Sequence, residues 1–158
     1  MAVFQNYPRV TPFLWFQSKA EEAVAFYISI FPHSQLLAEN FPADFGGGGG
    51  EGAKPLTIAF TLDGQPMTAI NGGPYYTLNE AFSLVVRCDS QADVDYYYGK
   101  LSEGGTEIQC GWLTDRFGLT WQIVPTQLPE LIKNPKAMAA MMEMKKIDIA
   151  ELEKAAKG

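Results

Sequence analysis

The sequence has few of the residues that most often build catalytic and metal centres. Its 158 residues include one histidine, His33, and two cysteines, Cys88 and Cys110. Two cysteines in a chain long enough to bury a sizeable core do not form a disulfide framework, so the composition favours a reduced, cytoplasmic protein. The histidine directly follows Pro32 at the predicted end of a helix, where a solvent-exposed turn residue is the ordinary interpretation.

A basic surplus and a long apolar run are also missing. The formal net charge is -6, and no basic stripe is visible, which argues against binding to a nucleic-acid backbone. No apolar run approaches the roughly 18 residues of a membrane span. Residues 1–9 lack both the basic lead and the apolar centre of a signal peptide. With a hydrophobic fraction of 47%, residues 1–158 are expected to form one folded domain that binds neither nucleic acid nor membrane.

The chain instead repeats one pattern twice. An apolar run at residues 11–16 precedes a helical stretch that ends near Phe31, and a second run at residues 81–88 precedes one that ends near Gly104. Each helix is followed by strand-like segments, which predicts two units of one strand, one helix and further strands. Two half-sheets that face each other would leave a cleft, and we expect a ligand there.

These units are named by their positions in the chain. Module one spans about residues 8–74, module two about residues 79–126, and a helical tail without a counterpart follows at residues 127–158. An Asp-Gly pair at Asp63 and Gly64 predicts a hairpin turn inside module one. The fold class is therefore α+β.

The start of each module's helix carries a capping signal. Ser18 with Glu21, and Ser90 with Asp93, have the spacing of a capping box, in which each side chain bonds a free backbone N–H of the first turn. Both helices are therefore predicted to begin directly after these serines.

In module two, residues 106–113 are predicted to form one continuous strand. Cys110 would then lie on this strand beside Gly111 and Trp112, where a pocket thiol is one interpretation. Nothing in the sequence places a histidine or lysine beside the thiol to activate it, so a buried, unreactive thiol is the alternative.

The glycine run at residues 46–50 produces a G-x-G-x-x-G match at Gly47, Gly49 and Gly52. A dinucleotide site needs a strand before this motif and a helix after it, but here Lys54 and Pro55 follow and a strand comes next. The run is predicted to be a loop between two strands.

Several segments together carry a family likeness. They are residues 11–16, 20–23, 26–27, 71–74, 110–113, 115–118 and 121–125, with the likeness continuing through residue 148. In these segments the chain resembles the PhnB-like branch of the vicinal oxygen chelate superfamily, which contains glyoxalases and ring-cleaving dioxygenases. The resemblance implies two βαβββ modules in a cupped mixed sheet, C-terminal helices and a homodimer. Similar proteins often carry the name 3-demethylubiquinone-9 3-methyltransferase.

The resemblance also implies a divalent metal, held by His, Glu or Gln side chains on the first and last strands of each module. The positions implied in this sequence are Thr11 or Pro12, Phe82 or Ser83, Gln122, and Asn71 or Tyr75. Neutral amides and hydroxyls are poor anchors for a metal ion when they act alone. We therefore expect no tightly held metal and leave a weakly bound divalent cation open.

The residues now in hand predict a dimeric protein that binds a small organic molecule in an aromatic cup. Asn71 and Gln122 would orient a carbonyl or hydroxyl group, Ser83 would donate a hydrogen bond, and tryptophans would supply apolar contact. Two alternatives stay open: an enzyme, either a metal-dependent lyase, isomerase or dioxygenase or the methyltransferase of the family name, and a purely structural dimer. The predicted ligand-binding residues are Trp15, Asn71, Tyr75, Ser83, Cys110, Trp112 and Gln122.

Overall fold

The structure, a computed structural model, describes residues 2–41 and 54–158. The chain divides into two compact units with the boundary between Leu78 and Asn79, and each unit contains one mixed sheet of four strands. The glycine run at residues 46–50, predicted to be a loop, lies outside the described residues.

The first unit contains one helix and four strands after a short N-terminal turn of helix. The elements are α1 (Ala2–Gln5), β1 (Phe13–Phe16), α2 (Ala20–Ile30), β2 (Gln35–Asn40), β3 (Thr57–Leu62) and β4 (Gln65–Asn71). The sheet order is β1-β4-β3-β2, with β1 parallel to β4 and the other pairs antiparallel. The central strands β3 and β4 are joined at the predicted turn, where Asp63 and Gly64 have φ angles of 49° and 78°.

Helix α2 packs on one face of this sheet. Ile58, Phe60 and Leu62 of β3 are buried with Val24 and Tyr27 of the helix, whereas the alternate residues of β3 are only partly buried. Because successive strand residues point to opposite faces, the partly buried set lies on the other side. We call the side turned away from α2 the open face of module one.

The predicted capping box at Ser18 and Glu21 is wrong. Helix α2 begins at Ala20 with Lys19 at the N-cap, and Lys19 makes no capping hydrogen bond through its side chain. The Ala20 N–H instead donates to Oδ1 of Asn71 at 2.9 Å. Parallel pairing of β1 with β4 aligns Phe16 with Asn71, which brings this distant acceptor to the helix end.

The second unit repeats the same order of elements. The elements are β5 (Ser83–Cys88), α3 (Gln91–Ser102), β6 (Thr106–Glu107), β7 (Trp112–Thr114) and β8 (Thr120–Pro125). The sheet order is β5-β8-β7-β6, with β5 parallel to β8. The predicted duplication of a βαβββ module is therefore confirmed. The Asp93 N–H donates to Ser90 Oγ at 3.1 Å, so the second predicted helix cap is also confirmed.

The single strand predicted for residues 106–113 is wrong. It is two short strands, β6 and β7, and Cys110 lies in the turn before β7 with a φ of 62°. The N–H groups of Cys110 and Gly111 donate to the carbonyls of Met144 and Lys145 at 2.8 and 2.7 Å. These bonds to the tail replace the ladder bonds that a continuous strand would have made.

The predicted helical tail is confirmed. It contains α4 (Leu128–Leu131), α5 (Pro135–Met142) and α6 (Ile149–Lys157). Leu128, Met141, Ile147 and Leu152 form a buried cluster that holds these helices together. In the part of the chain that the structure describes, no helix is both long and apolar enough to cross a membrane.

Candidate ligand-binding site

A row of four residues crosses the open face of module one. The strand registers align Phe13 of β1, Thr68 of β4, Ala59 of β3 and Ala38 of β2. Three of these four side chains are small, so they form a shallow depression in the centre of the sheet face, and the larger Phe13 side chain lies at one edge of it. Small side chains on paired strands leave room above a sheet, because no long side chain fills the space.

The N-terminal segment, residues 4–10, lies over this row. Tyr7 fixes it in place, since its hydroxyl donates to the Met67 carbonyl at 2.7 Å and lies 3.4 Å from the Phe60 carbonyl. Burial raises the pKa of the Tyr7 phenol, so the group stays a neutral donor. The Phe4 ring contacts that of Tyr7, with centroids 5.7 Å apart.

The row and the segment line a cavity of about 860 Å³ that is open to solvent. We call it the module-one cavity. Its walls include Phe4, Tyr7, Arg9, Phe13 and Thr68. Small-molecule sites are commonly about 300–1,000 Å³, mostly apolar, with a few polar groups that fix orientation. The module-one cavity has that size and that mixture.

Among the described lining residues of this cavity, none is one of the seven predicted ligand-binding residues. Trp15 lies beyond it, where its Nε1 donates to the Gly73 carbonyl at 3.1 Å and its ring meets the edge of Tyr76. Tyr75 is 79% exposed. These aromatic residues pack around the turn that follows β4.

Asn71 is engaged by the fold of its own module. Its Oδ1 accepts from the N–H of Ala20, and its Nδ2 donates to the Glu21 carboxylate and to the Pro55 carbonyl, the latter at 2.9 Å. The amide thus joins the end of β4, the start of α2 and the start of the segment leading into β3. Its hydrogen-bonding groups are used for this connection.

Three predicted residues of module two come together. Gln122 of β8 pairs with Trp112 of β7, and its Nε2 donates to Ser83 Oγ of β5 at 2.9 Å. All three lie on the face of the second sheet opposite Leu113 and Trp121, which are buried. We call this side the open face of module two. A hydroxyl, an amide and an indole there can contact a polar aromatic molecule.

Cys110 lies apart from these three residues. Its Sγ is 3.8 Å from Sδ of Met142, and Nε2 of neighbouring Gln109 donates to the Met142 carbonyl at 3.3 Å. The thiol therefore packs at the junction between module two and the tail. Its placement follows from the turn before β7.

The sequence prediction missed the module-one cavity. The signal that could have indicated it is the set of small residues at alternating positions of β3 and β4, beside an aromatic N-terminal segment. Alternation predicts which residues share a face, but not that Ala38, Ala59 and Thr68 align in one row. Nor does it predict that residues 4–10 fold over them.

The residues at the implied metal positions do not fit a firmly held cation. Pro12 and Phe82 have no side-chain donor atom, Asn71 is engaged as described, and the Gln122 amide is a neutral group bonded to Ser83. Among residues 2–41 and 54–158, no group of three or more His, Cys, Asp and Glu side chains is placed to hold a metal ion. Side chains of these four types are the usual ligands of divalent metal ions in proteins.

Two four-stranded mixed sheets, each built by a βαβββ module, define a glyoxalase-like protein of the vicinal oxygen chelate superfamily. More narrowly, the chain belongs to the 3-demethylubiquinone-9 3-methyltransferase family, whose model matches residues 8–124. No curated protein matches the chain.

Solved structures of similar proteins support this assignment. A PhnB protein from Bacillus cereus, described as a candidate 3-demethylubiquinone-9 3-methyltransferase, is 29% identical with a TM-score of 0.66; the match covers 75% of this chain and 100% of that one. Protein PA1353 from Pseudomonas aeruginosa is 21% identical with a TM-score of 0.61, over 75% and 97% of the two chains. The fosfomycin resistance protein FosX from Listeria monocytogenes, solved with Mn(II) and sulfate, is 14% identical with a TM-score of 0.53, over 79% and 97%. The last two show a shared fold.

Proposed function

We propose that the protein binds a small organic molecule in the module-one cavity. The observation that carries the proposal is the row of Phe13, Thr68, Ala59 and Ala38, which with the N-terminal segment lines an open cavity of about 860 Å³. A ligand there would remove exposed apolar surface from water, which is worth roughly 25 cal/mol per Å² before the costs of binding.

The predicted residues take different parts in this proposal. Ser83, Trp112 and Gln122 lie outside the described lining of the module-one cavity and would form a second, separate contact surface for a carbonyl or hydroxyl group on the open face of module two, supported by the hydrogen bond between Gln122 and Ser83. Tyr75, which is exposed, would contact a ligand through its ring or hydroxyl. The other three predicted residues would act indirectly, as positioning residues that hold the turn after β4, the start of α2 and the tail: Trp15, Asn71 and Cys110.

A substitution that fills the cavity tests the proposal. A panel of aromatic carbonyl and quinone compounds is screened by thermal shift, and each compound that raises the melting temperature is titrated by calorimetry. Ala59→Phe places a phenyl ring at the centre of the row and should weaken binding at least tenfold. Ala139→Phe, at an exposed position of α5, is the matched control and should leave the affinity unchanged.

A second filling variant guards against misfolding of the first. Ala38→Leu lies on the edge strand β2, where a larger side chain disturbs fewer neighbours. If folded Ala59→Phe and Ala38→Leu proteins bind every compound as tightly as the wild type does, the cavity is not the binding site. If no compound in the panel binds the wild type, the proposed function is wrong for this ligand class.

Ligand binding is proposed to proceed without a tightly held metal. The support is the neutral donor set described for the implied metal positions. Elemental analysis of the purified protein by mass spectrometry is expected to find transition metals far below one per chain. A near-stoichiometric metal would contradict this part of the proposal and favour a lyase, isomerase or dioxygenase.

A homodimer is proposed as the form that binds the ligand. Exposed apolar side chains on both modules, Leu36 on module one and Phe82 and Val85 on module two, support an interface between copies of the chain. Sedimentation equilibrium is expected to give twice the mass of 17.4 kDa. A single species at the monomer mass at micromolar concentration would contradict the dimer.

A further inference from the structure

The apolar part of the module-one cavity is aromatic and open to water. Phe4, Val10 and Phe13 line it and remain 73%, 84% and 57% exposed. Large exposed apolar side chains grouped around one concavity indicate a surface that a ligand or partner covers. Two phenyl rings and the Tyr7 ring around one space suit a flat aromatic molecule, because aromatic rings gain from edge and offset contacts with each other.

Among the described residues that line the cavity, two are charged, Arg9 and Glu39. The strand register pairs Glu39 with Ile58, which is buried on the helix side of the sheet, and Glu39 also lines a groove with Val24 and Ile28 of α2. The Glu39 side chain therefore lies on the helix side of the sheet, and Glu39 borders the cavity at its rim. Of the two described charged residues that line the cavity, Arg9 is the one on the open face.

Arg9 forms no ion pair with any residue that the structure describes. It follows Pro8 in the segment that Tyr7 fixes to β3 and β4, so its backbone is anchored close by while its side chain is exposed. A planar guanidinium with five N–H donors matches a carboxylate through two parallel hydrogen bonds. Thr11 and Thr57 line the same cavity and carry hydroxyls that can donate to an oxygen anion.

We infer that the module-one cavity selects an aromatic monoanion, with Arg9 as its counter-charge and the rings of Phe4, Tyr7 and Phe13 around its aromatic body. The inference rests on the proposed function, since it names the ligand class of the same cavity. The net charge of the chain is -6, so selection of an anion depends on this local cation and not on the overall field.

The test compares two probes that differ in charge and share one shape. Sodium 2-naphthoate and neutral 2-naphthamide are titrated by calorimetry into the wild type, Arg9→Gln, Arg9→Lys and Arg87→Gln. Arg87 is an exposed arginine of β5 paired with Asp89, and its loss changes the net charge by the same amount. In the wild type the naphthoate should bind more tightly than the amide.

Arg9→Gln should weaken the naphthoate about tenfold and leave the amide unchanged, because one charge-assisted contact is lost. Arg9→Lys should fall between, and Arg87→Gln should match the wild type. The anion inference would be overturned if the wild type bound the naphthoate no more tightly than the amide and Arg9→Gln left both affinities unchanged. The proposed function would still stand in that case. Aromatic monoanions would be excluded as the ligand class if the wild type bound neither probe but did bind a screened compound whose affinity Ala59→Phe weakens.

Discussion

The indole ring of Trp15 lies directly against Gly72. A Cβ built on Gly72 would be 2.2 Å from Cζ2 of the indole, far inside any contact that real atoms make. The same indole donates from Nε1 to the Gly73 carbonyl at 3.1 Å. The Asn-Gly-Gly-Pro segment therefore has a structural reason for its first glycine, since only a hydrogen leaves room for the tryptophan.

Gly72→Ala should destabilise module one. The new methyl group must displace the Trp15 ring, which weakens its bond to Gly73 and its edge contact with Tyr76. Overpacking of this kind costs about 1–3 kcal/mol. Urea unfolding monitored by circular dichroism measures the change in the free energy of unfolding.

Gly99→Ala is the matched control for that experiment. Gly99 lies inside helix α3 with nothing within 4 Å of a built Cβ, so alanine should stabilise the protein by about 0.5–1 kcal/mol. Equal effects of the two substitutions would contradict the steric role assigned to Gly72.

The elements that could be predicted from the sequence are those specified by near neighbours. The spacing that specifies α3 is that of Val94, Tyr97, Tyr98 and Leu101. Tyr97 is half-buried, and the other three are buried. Ser90 caps α3 three residues away, and Asp63 with Gly64 turns the β3–β4 hairpin. In each case the interacting groups lie within one or two turns of chain, so local spacing is enough to identify them.

The features that could not be predicted depend on groups distant in the chain. Asn71 caps a helix that begins 51 residues earlier, and the backbone of Met144 determines the turn at Cys110. The module-one cavity needs three strand registers and a folded N-terminal segment at once. A sequence pattern shows which residues share a face, but tertiary contacts decide what lies over that face.

Asn71→Ala should lower stability through the start of α2. The substitution leaves the Ala20 N–H without its acceptor, and the Pro55 carbonyl and the Glu21 carboxylate without their donor. Losing an N-cap acceptor costs about 1 kcal/mol, and the other two lost bonds add to this, so we expect about 1–3 kcal/mol. Thermal unfolding measures the loss.

Asn79→Ala provides the comparison for Asn71→Ala. Asn79 is exposed and bonds only locally, with its Oδ1 accepting from the Ala81 N–H, so its loss should cost under about 0.5 kcal/mol. A folded Asn71→Ala protein with wild-type stability and altered ligand affinity would assign Asn71 to ligand contact instead.

Asp115→Asn should destabilise module two strongly. The Asp115 side chain is 3% exposed, and its carboxylate accepts from the N–H groups of Phe117 and Leu119 and from Nε1 of Trp121 at 2.8, 3.1 and 2.8 Å. An asparagine can keep the bonds at Oδ1, but its NH₂ group would then face the indole N–H. Two opposed donors in a buried place cost about 1–3 kcal/mol.

The pair Asp115 and Trp121 can be tested by a double-mutant cycle. Trp121→Phe removes the indole donor, so Asp115→Asn should cost less in that background than in the wild type. Additive losses in urea unfolding would show that the donor conflict is not the cause.

Cys88 should make the protein less stable in alkali. Burial, with the nearby carboxylates of Asp93 and Asp89, raises the pKa of the Cys88 thiol from its ordinary value near 9 to about 11. Between these values the unfolded chain loses the thiol proton while the folded chain keeps it, so the free energy of unfolding falls as the pH rises. The loss attributable to this thiol is about 2 kcal/mol between pH 9 and pH 11.

Cys88→Ala isolates that contribution from other groups that titrate in the same range. The alanine variant is less stable at neutral pH because it leaves a small cavity, but its stability should fall less steeply between pH 9 and pH 11. Urea unfolding of both proteins at each half pH unit gives the two curves. Parallel curves would mean that the folded thiol ionises as readily as the unfolded one, and the difference between the slopes measures how firmly the interior of module two holds the thiol neutral.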